Sequence, residues 1–332
     1  MINRILPLEK NFQNVKKSLR ERNLPIQIGW NLSMEKIDTF FERHDIRGYK
    51  FEIDPRGNVF IVEMEKAERG FVVKRLEKYF DVPNRGVADN PPIDVGGALA
   101  HYRPRGRGNQ SAPDIAIYPG LTIIPKPPIP VPPSQRRLRF VRRVSPRTFR
   151  HREIPPVDKS GRPHARIMCE IAVSQKYQSD RGRGGWNPKC IRWMQQQYVR
   201  CVFGVKIYDP RATRNVAGQL HRCMIARLWT RQAAPIPGRH IAVAGHPGIY
   251  YEEWNFGTHD YYTGALTACT GPGLINYQIN IPVQEVFWNP PIARGAPSIA
   301  GYVIAVPGVV TAPNFVIDLY QIQQVVLQNQ DN

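Results

Sequence analysis

The sequence predicts an α/β fold, a mixed β-sheet flanked by helices, followed by a C-terminal β-leaning or loosely folded domain. Three observations carry that prediction. Between residues 34 and 230, apolar runs of strand length alternate with helical stripes, as in a sheet with helices packed on it. After residue 231 the composition turns to Pro, Gly and aromatic residues with short apolar pieces such as AGYVIAVPGVV and FVIDLYQIQQVVL. A chain of 332 residues that is 42% hydrophobic is long and apolar enough to bury a sizeable core.

Residues 1–32 are mixed and polar and read as a weakly ordered lead-in. Ser33 is placed to cap a helix over MEKIDTFFERHD, where Met34, Ile37, Phe40 and Phe41 share one face. YKFEI and NVFIVEM read as a hairpin around Asp54-Pro55-Arg56-Gly57-Asn58. EKAERGFVVKRLEKYF reads as a helix with Phe71, Val72, Arg75, Leu76 and Tyr79 on one side, despite Gly70, which costs about 1 kcal/mol relative to Ala. PDIAIYP is a short strand. IIPKPPIPVPPSQ is too rich in proline for a helix or a central strand and favours extended chain. RIMCEIAVS reads as a buried strand, NPKCIRWMQQQYVRC as a helix with Asn187 as cap and Pro188 at its first position, and VFGVKIYD and QLHRCMIARLW as an antiparallel pair. The domain 33–231 therefore carries a Pro/Arg-rich insertion at about 119–160, and 232–332 is expected as a separate unit.

Charge narrows the class of partner. The chain has 46 Lys and Arg against 27 Asp and Glu, a net +19. Residues 232–332 hold two basic side chains, Arg239 and Arg294, against six acids, so the whole excess lies before residue 232. Residues 103–153 alone hold twelve Arg and Lys against Asp114 and Glu153. Such a block is either a solvated face or a phosphate-binding strip. The apolar residues interleaved in QRRLRFVRRVSPRTFRHRE favour an ordered strip, with Arg136, Arg137, Arg139, Arg142 and Arg143 as phosphate contacts. The Arg-Gly pieces RPRGRG and RGRGG are either flexible loops or sequence-tolerant contacts to nucleic acid. No apolar run reaches the length of a membrane span, and residues 1–23 hold no apolar leader core. Five cysteines without a CxxC pair fit a reducing compartment. The expected partner is nucleic acid, DNA ahead of RNA, with no membrane; the expected location is intracellular, cytoplasmic or nuclear. A homodimer is compatible with the sequence.

Two acids stand in apolar strands: Asp114 after Pro113, and Glu170 in the middle of CEIAVS. Desolvating a carboxylate there is costly unless it is paired or bound to a metal. Two such acids on neighbouring strands suit a divalent cation, which can activate water against a phosphodiester. The alternative is a strand-end acid and a buried ion pair, with Arg166 as a candidate partner of Glu170. Cys169 reads as a packed small residue, and Trp186 and Trp193 as core or rim. The acids and histidines at His240, His246, Glu252, Glu253, His259 and Asp260 follow no familiar metal-ligand spacing.

In order, MEKIDTFFERHD, YKFEIDPRGNVFIVEM, EKAERGFVVKRLEKYF, APDIAIYP, CEIAVS, NPKCIRWMQQQYV and VFGVKIYDP resemble the restriction endonuclease family of the PD-(D/E)XK nuclease superfamily over about 200 residues. The resemblance implies a restriction endonuclease-like mixed sheet and phosphodiester hydrolysis dependent on Mg²⁺ or Mn²⁺. It places Asp114 and Glu170 as metal carboxylates, Lys189 as the helix-borne lysine, and Glu63, or else Glu68, as an upstream acid. Glu52 falls in the family's first strand. The chain departs from the family at Ala172, where a lysine is usual, at Gln175, where proline usually follows, and at Gly185, where an Asp is common. The expected function is a metal-dependent nuclease. The alternatives are a catalytically inactive nucleic-acid-binding protein on the same fold, and a structural or interaction protein using the Pro-rich segment.

Overall fold

The computed structural model describes residues 7–18, 25–44, 49–54, 56–64, 66–98, 101–102, 110–125, 162–173, 185–231, 236–293 and 296–330. The expected lead-in is partly ordered. It supplies α1 (Leu8–Ser18) and β1 (Ile26–Gly29), because Leu8, Phe12 and Ile28 have an apolar layer to enter. That layer comes from α2 (Met34–Arg43), β2 (Tyr49–Ile53) and β3 (Val59–Met64). Ser33 caps α2 as expected, its hydroxyl accepting from the Lys36 N–H. The β2–β3 hairpin closes on Asp54, whose Oδ1 accepts from the Arg56 and Asn58 N–H groups at 2.8 and 3.0 Å, with Gly57 at φ +78°. The three strands form their own antiparallel sheet, ordered β1-β3-β2. A hairpin pattern in sequence does not say which sheet the hairpin joins.

The larger sheet begins after α3 (Ala67–Asp81). That helix buries Glu68, Val72, Leu76 and Phe80, four residues apart, whereas Phe71 is 49% exposed. The inward face thus lies one residue further round than the sequence stripe placed it, because Phe80 packs edge-on against Phe315 at 5.0 Å. Next come β4 (Ile93–Gly96), the short pair β5 (His101–Tyr102) and β6 (Gln110–Ser111), β7 (Ile115–Pro119), β8 (Ile167–Ala172), α4 (Trp186–Met194), β9 (Cys201–Ile207) and β10 (Met224–Arg231). The C-terminal region adds β11 (Ile241–Ala242), β12 (Ile249–Asn255), β13 (Gln278–Pro282), β14 (Ile292–Ala293), β15 (Ala296–Pro297), β16 (Asn314–Asp318) and α5 (Leu319–Gln328).

Seven strands make a mixed sheet in the order β11-β12-β10-β9-β8-β7-β4. Every pairing is antiparallel except β8 with β9, which α4 connects as a crossover. Alternate residues of β8 face opposite layers. Ile167, Cys169 and Ile171 meet α3 and α5 on one side; Met168 and Ala172 meet α4 on the other. Gly185, and not Asn187, occupies the cap of α4, so Pro188 falls at the third helical position, still within the first turn where its missing N–H costs nothing. Gly204 on β9 leaves room for two indoles: a Cβ there would stand 2.6 Å from Trp186 and 2.8 Å from Trp229.

The boundary expected at residue 231 does not divide this core. β12 pairs with β10 from Ile225↔Asn255 to Arg231↔Ile249. Ile279, Ile281, Phe315, Ile317, Ile322 and Val326 pack in the same cluster as Val72, Leu76 and Phe80. The Pro/Gly-rich composition there reflects turns between short elements and not a second core. No helix among the described residues is long and apolar enough to cross a membrane.

Candidate functional site

β7 begins, β8 and β9 end, and β10 begins at one end of the seven-stranded sheet. The pairing of Ile115 with Cys169, extended by one residue, sets Asp114 opposite Glu170, and the Asp114 N–H donates to the Cys169 carbonyl at 3.0 Å. The two acids singled out in sequence are therefore neighbours on adjacent strands.

Each carboxylate is already engaged. Asp114 Oδ1 accepts from Arg69 Nη2 at 2.5 Å, and its Oδ2 accepts from the Ile171 N–H at 2.6 Å, which lost its strand partner where β7 begins. Glu170 is 1% exposed. Its Oε1 accepts from Trp193 Nε1 at 2.6 Å and lies 2.7 Å from Lys189 Nζ; its Oε2 accepts from the same ammonium at 2.9 Å. Lys189 also donates to the Ala112 carbonyl at 3.1 Å, and Trp186 Nε1 to the Glu170 carbonyl at 3.1 Å. Trp186, Lys189 and Trp193 share the inner face of α4 because three- and four-residue steps return to one side of a helix. Both indoles are core, as expected. Arg69 comes from α3 on the opposite face of the sheet. Sequence analysis missed it. Its only signal was its place beside Glu68 in the first turns of α3.

A third acid joins this layer. Glu68 Oε1 accepts from Arg222 Nη1 at 2.5 Å, with both side chains almost fully buried. Consecutive residues of α3 thus reach strands at both sides of β8 and β9, Glu68 toward β10 and Arg69 toward β7. Glu63 lies on β3. Its strand belongs to the three-stranded sheet, opposite Lys50, because the hairpin pairs with β1, and its side chain lies outside the described residues. Glu52 pairs with Arg192 of α4 at 3.0 Å, joining the small sheet to that helix.

Arg166 is not the partner of Glu170. It is fully buried at the start of β8, the other end of the strand, and donates to the carbonyls of His164 and Trp288 and to Asn289 Oδ1. Arg136, Arg137, Arg139, Arg142 and Arg143 lie outside the described residues. The segment that carries them leaves after Pro125 and returns at Arg162, both at the end of β7 and β8 away from Asp114 and Glu170. Adjacency in sequence did not translate into adjacency of the junctions.

Cys169 is buried, and its thiol is pushed well up by burial, then by the charges of Asp114 and Glu170, which suits packing and not nucleophilic attack. In the C-terminal region Glu252 pairs with Arg239 and His240, and Glu253 with Arg227 and the Tyr262 hydroxyl. No group of three or more metal-ligating side chains occurs among the described residues.

The donor set does not fit Mg²⁺ or Mn²⁺ as it stands. Such an ion takes near-octahedral oxygen ligands and binds through carboxylates and water. Here both oxygens of Asp114 and of Glu170 already accept from the protein, and two of those donors are cations. No protein-family model matches the chain, and no curated protein matches its sequence.

Proposed function

We propose that this chain is a nucleic-acid-binding protein that keeps a nuclease-like arrangement of strands and helices without metal-dependent chemistry. The observation that carries the reading is the internal neutralisation of Asp114 by Arg69 and of Glu170 by Lys189. The positive charge that a metal would bring to these acids is supplied by the chain itself. Ala172 and Gly185, the two departures nearest the site in sequence, agree with it. The order α3, β7, β8, α4, β9 follows the order of the resemblance noted in the sequence, which supports common architecture. The excess charge before residue 232 supports a polyanionic partner.

Binding and cleavage test the reading together. Labelled duplex DNA should bind with strong salt dependence, and replacing Arg136, Arg137, Arg139, Arg142 and Arg143 by Ala should flatten the plot of log K against log salt by about 4–5, near 0.9 per phosphate contact. Incubation with Mg²⁺ or Mn²⁺ should leave DNA and RNA intact. Cleavage that needs either ion and disappears in Glu170→Gln would replace this reading with the hydrolase. One observation favours that second reading: Lys189 stands beside a carboxylate that faces Asp114 across a strand pair. It requires Arg69 and Lys189 to release both acids.

A further inference from the structure

At the same end of the sheet, β9 runs out into Tyr208. The Tyr208 ring stacks on Tyr261 with centroids 4.2 Å apart and planes 21° from parallel, and Tyr261 meets Tyr262 edge-on at 5.2 Å. The inner face of the stack is closed by Lys206, whose Nζ lies 5.0 Å from the Tyr208 centroid. The outer members are open: Tyr261 is 43% and Tyr262 62% exposed. Large exposed rings in a rigid setting offer contact area at little cost in conformational entropy.

The setting is rigid. Asp260 Oδ1 accepts from the Tyr262 and Thr263 N–H groups at 2.9 and 2.8 Å and from the Thr263 hydroxyl at 3.0 Å. The Tyr261 N–H donates to Asn255 Oδ1 at 3.0 Å, and the Tyr262 hydroxyl to Glu253 at 2.9 Å. Gly264 turns the chain at φ +72°, and the Arg211 guanidinium lies over it, 3.8 Å from where a Cβ would stand. Arg211 is the cation beside this turn; of the two acids next to the rings, Asp260 is closed onto its own turn and Glu253 is paired with Arg227. Beside the rings a cleft is lined by Trp254, Thr267, Asn276 and Tyr277, whose rings, amide and hydroxyl groups are of the kinds that meet bases, together with Glu253 and Asp260, whose carboxylates are engaged by Arg227 and by the Thr263 N–H.

We propose that Tyr261 and Tyr262 form a stacking platform for the bases of an unpaired nucleic-acid strand, with Arg211 meeting its backbone. The inference rests on the nucleic-acid-binding reading and deepens it. Paired bases keep their faces stacked on one another, so only an unpaired strand can lay a base on these rings.

Fluorescence anisotropy separates the outcomes, using a labelled thymidylate oligonucleotide alone and the same strand paired with its adenylate complement. Tyr262→Ala should weaken binding of the single strand roughly tenfold and leave the duplex unchanged. Tyr262→Phe keeps the ring and should bind the single strand as wild type does, which separates stacking from the loss of the Glu253 hydrogen bond. Arg211→Gln should lower the salt slope for the single strand by about one contact. Single-strand binding by Tyr262→Ala equal to wild type overturns the platform, as does an equal loss on both probes. Wild-type protein that retains neither probe overturns the parent reading as well.

Discussion

The two ends of the seven-stranded sheet hold their buried guanidiniums in different ways. At the end where β7 and β10 begin, each buried acid meets a dedicated cation: Asp114 with Arg69, Glu170 with Lys189, Glu68 with Arg222. At the other end, buried guanidiniums are held by neutral oxygens. Arg166 rests on two carbonyls and an amide, with the Tyr198 ring 5.1 Å away, and Arg231 on the carbonyls of Met194, Gln196 and Val199. Burial pulls the Arg166 guanidinium down to about 10 and lowers Arg231 as well. The first arrangement stores charge that opposes charge. The second uses charge to tie loops, since Arg166 anchors the Trp288–Asn289 segment to β8. Removal of one partner should therefore be felt differently at the two ends.

The largest effect is expected at Glu170. Glu170→Ala leaves the Lys189 ammonium and the Trp193 N–H buried without their acceptor, and should cost about 3–5 kcal/mol in urea unfolding. Glu170→Met combined with Lys189→Met should be less costly than Glu170→Met alone, because the double variant leaves no orphan charge. Costs that simply add would mean that the two groups do not act as a pair, and would weaken the functional reading built on it.

How this site was legible in sequence is instructive. Apolar runs bounded by turn residues located β7, β8, β9 and β10, and two carboxylates inside such runs drew attention for a sound physical reason: they need partners. The identity of the partners was not local information. Lys189 was named for a role beside a metal, yet only the α4 crossover brings its ammonium onto Glu170. Arg69 reaches Asp114 across the end of the sheet from a helix whose sequence stripe was misjudged by one residue. The separate C-terminal domain was expected because composition changes at residue 232, but composition records turns, whereas the shared core depends on long-range contacts such as Phe80 with Phe315. The small sheet went unseen because β1, only four residues long, falls in the stretch read as a weakly ordered lead-in.

A smaller effect is expected at Arg166. Arg166→Met removes a charge that meets no carboxylate among the described residues, so no opposite charge there is orphaned; three acceptors lose their donor instead. The cost should be about 1–3 kcal/mol in urea unfolding, below that of Glu170→Ala. A cost equal to or above that of Glu170→Ala would erase the distinction between the two ends.

The smallest effect concerns pH at the acid-bearing end. His259 lies there with its ring 4.5 Å from that of His221, nearly perpendicular to it. Burial, then His221 and Arg211, holds the His259 imidazole below its usual range. Asp260 lies beside it, but its carboxylate is turned onto the Tyr262 and Thr263 N–H groups. A lowered histidine pKa means that the unfolded chain takes up the proton first. Stability is then complete above the unfolded value of about 6.5 and falls as pH drops from there toward the folded value. Wild-type protein should lose stability relative to His259→Gln on acidification from about pH 7 to about pH 5. Parallel stability curves for the two proteins would show that this imidazole is as free to charge in the fold as in water, and that repulsion from Arg211 is not felt there.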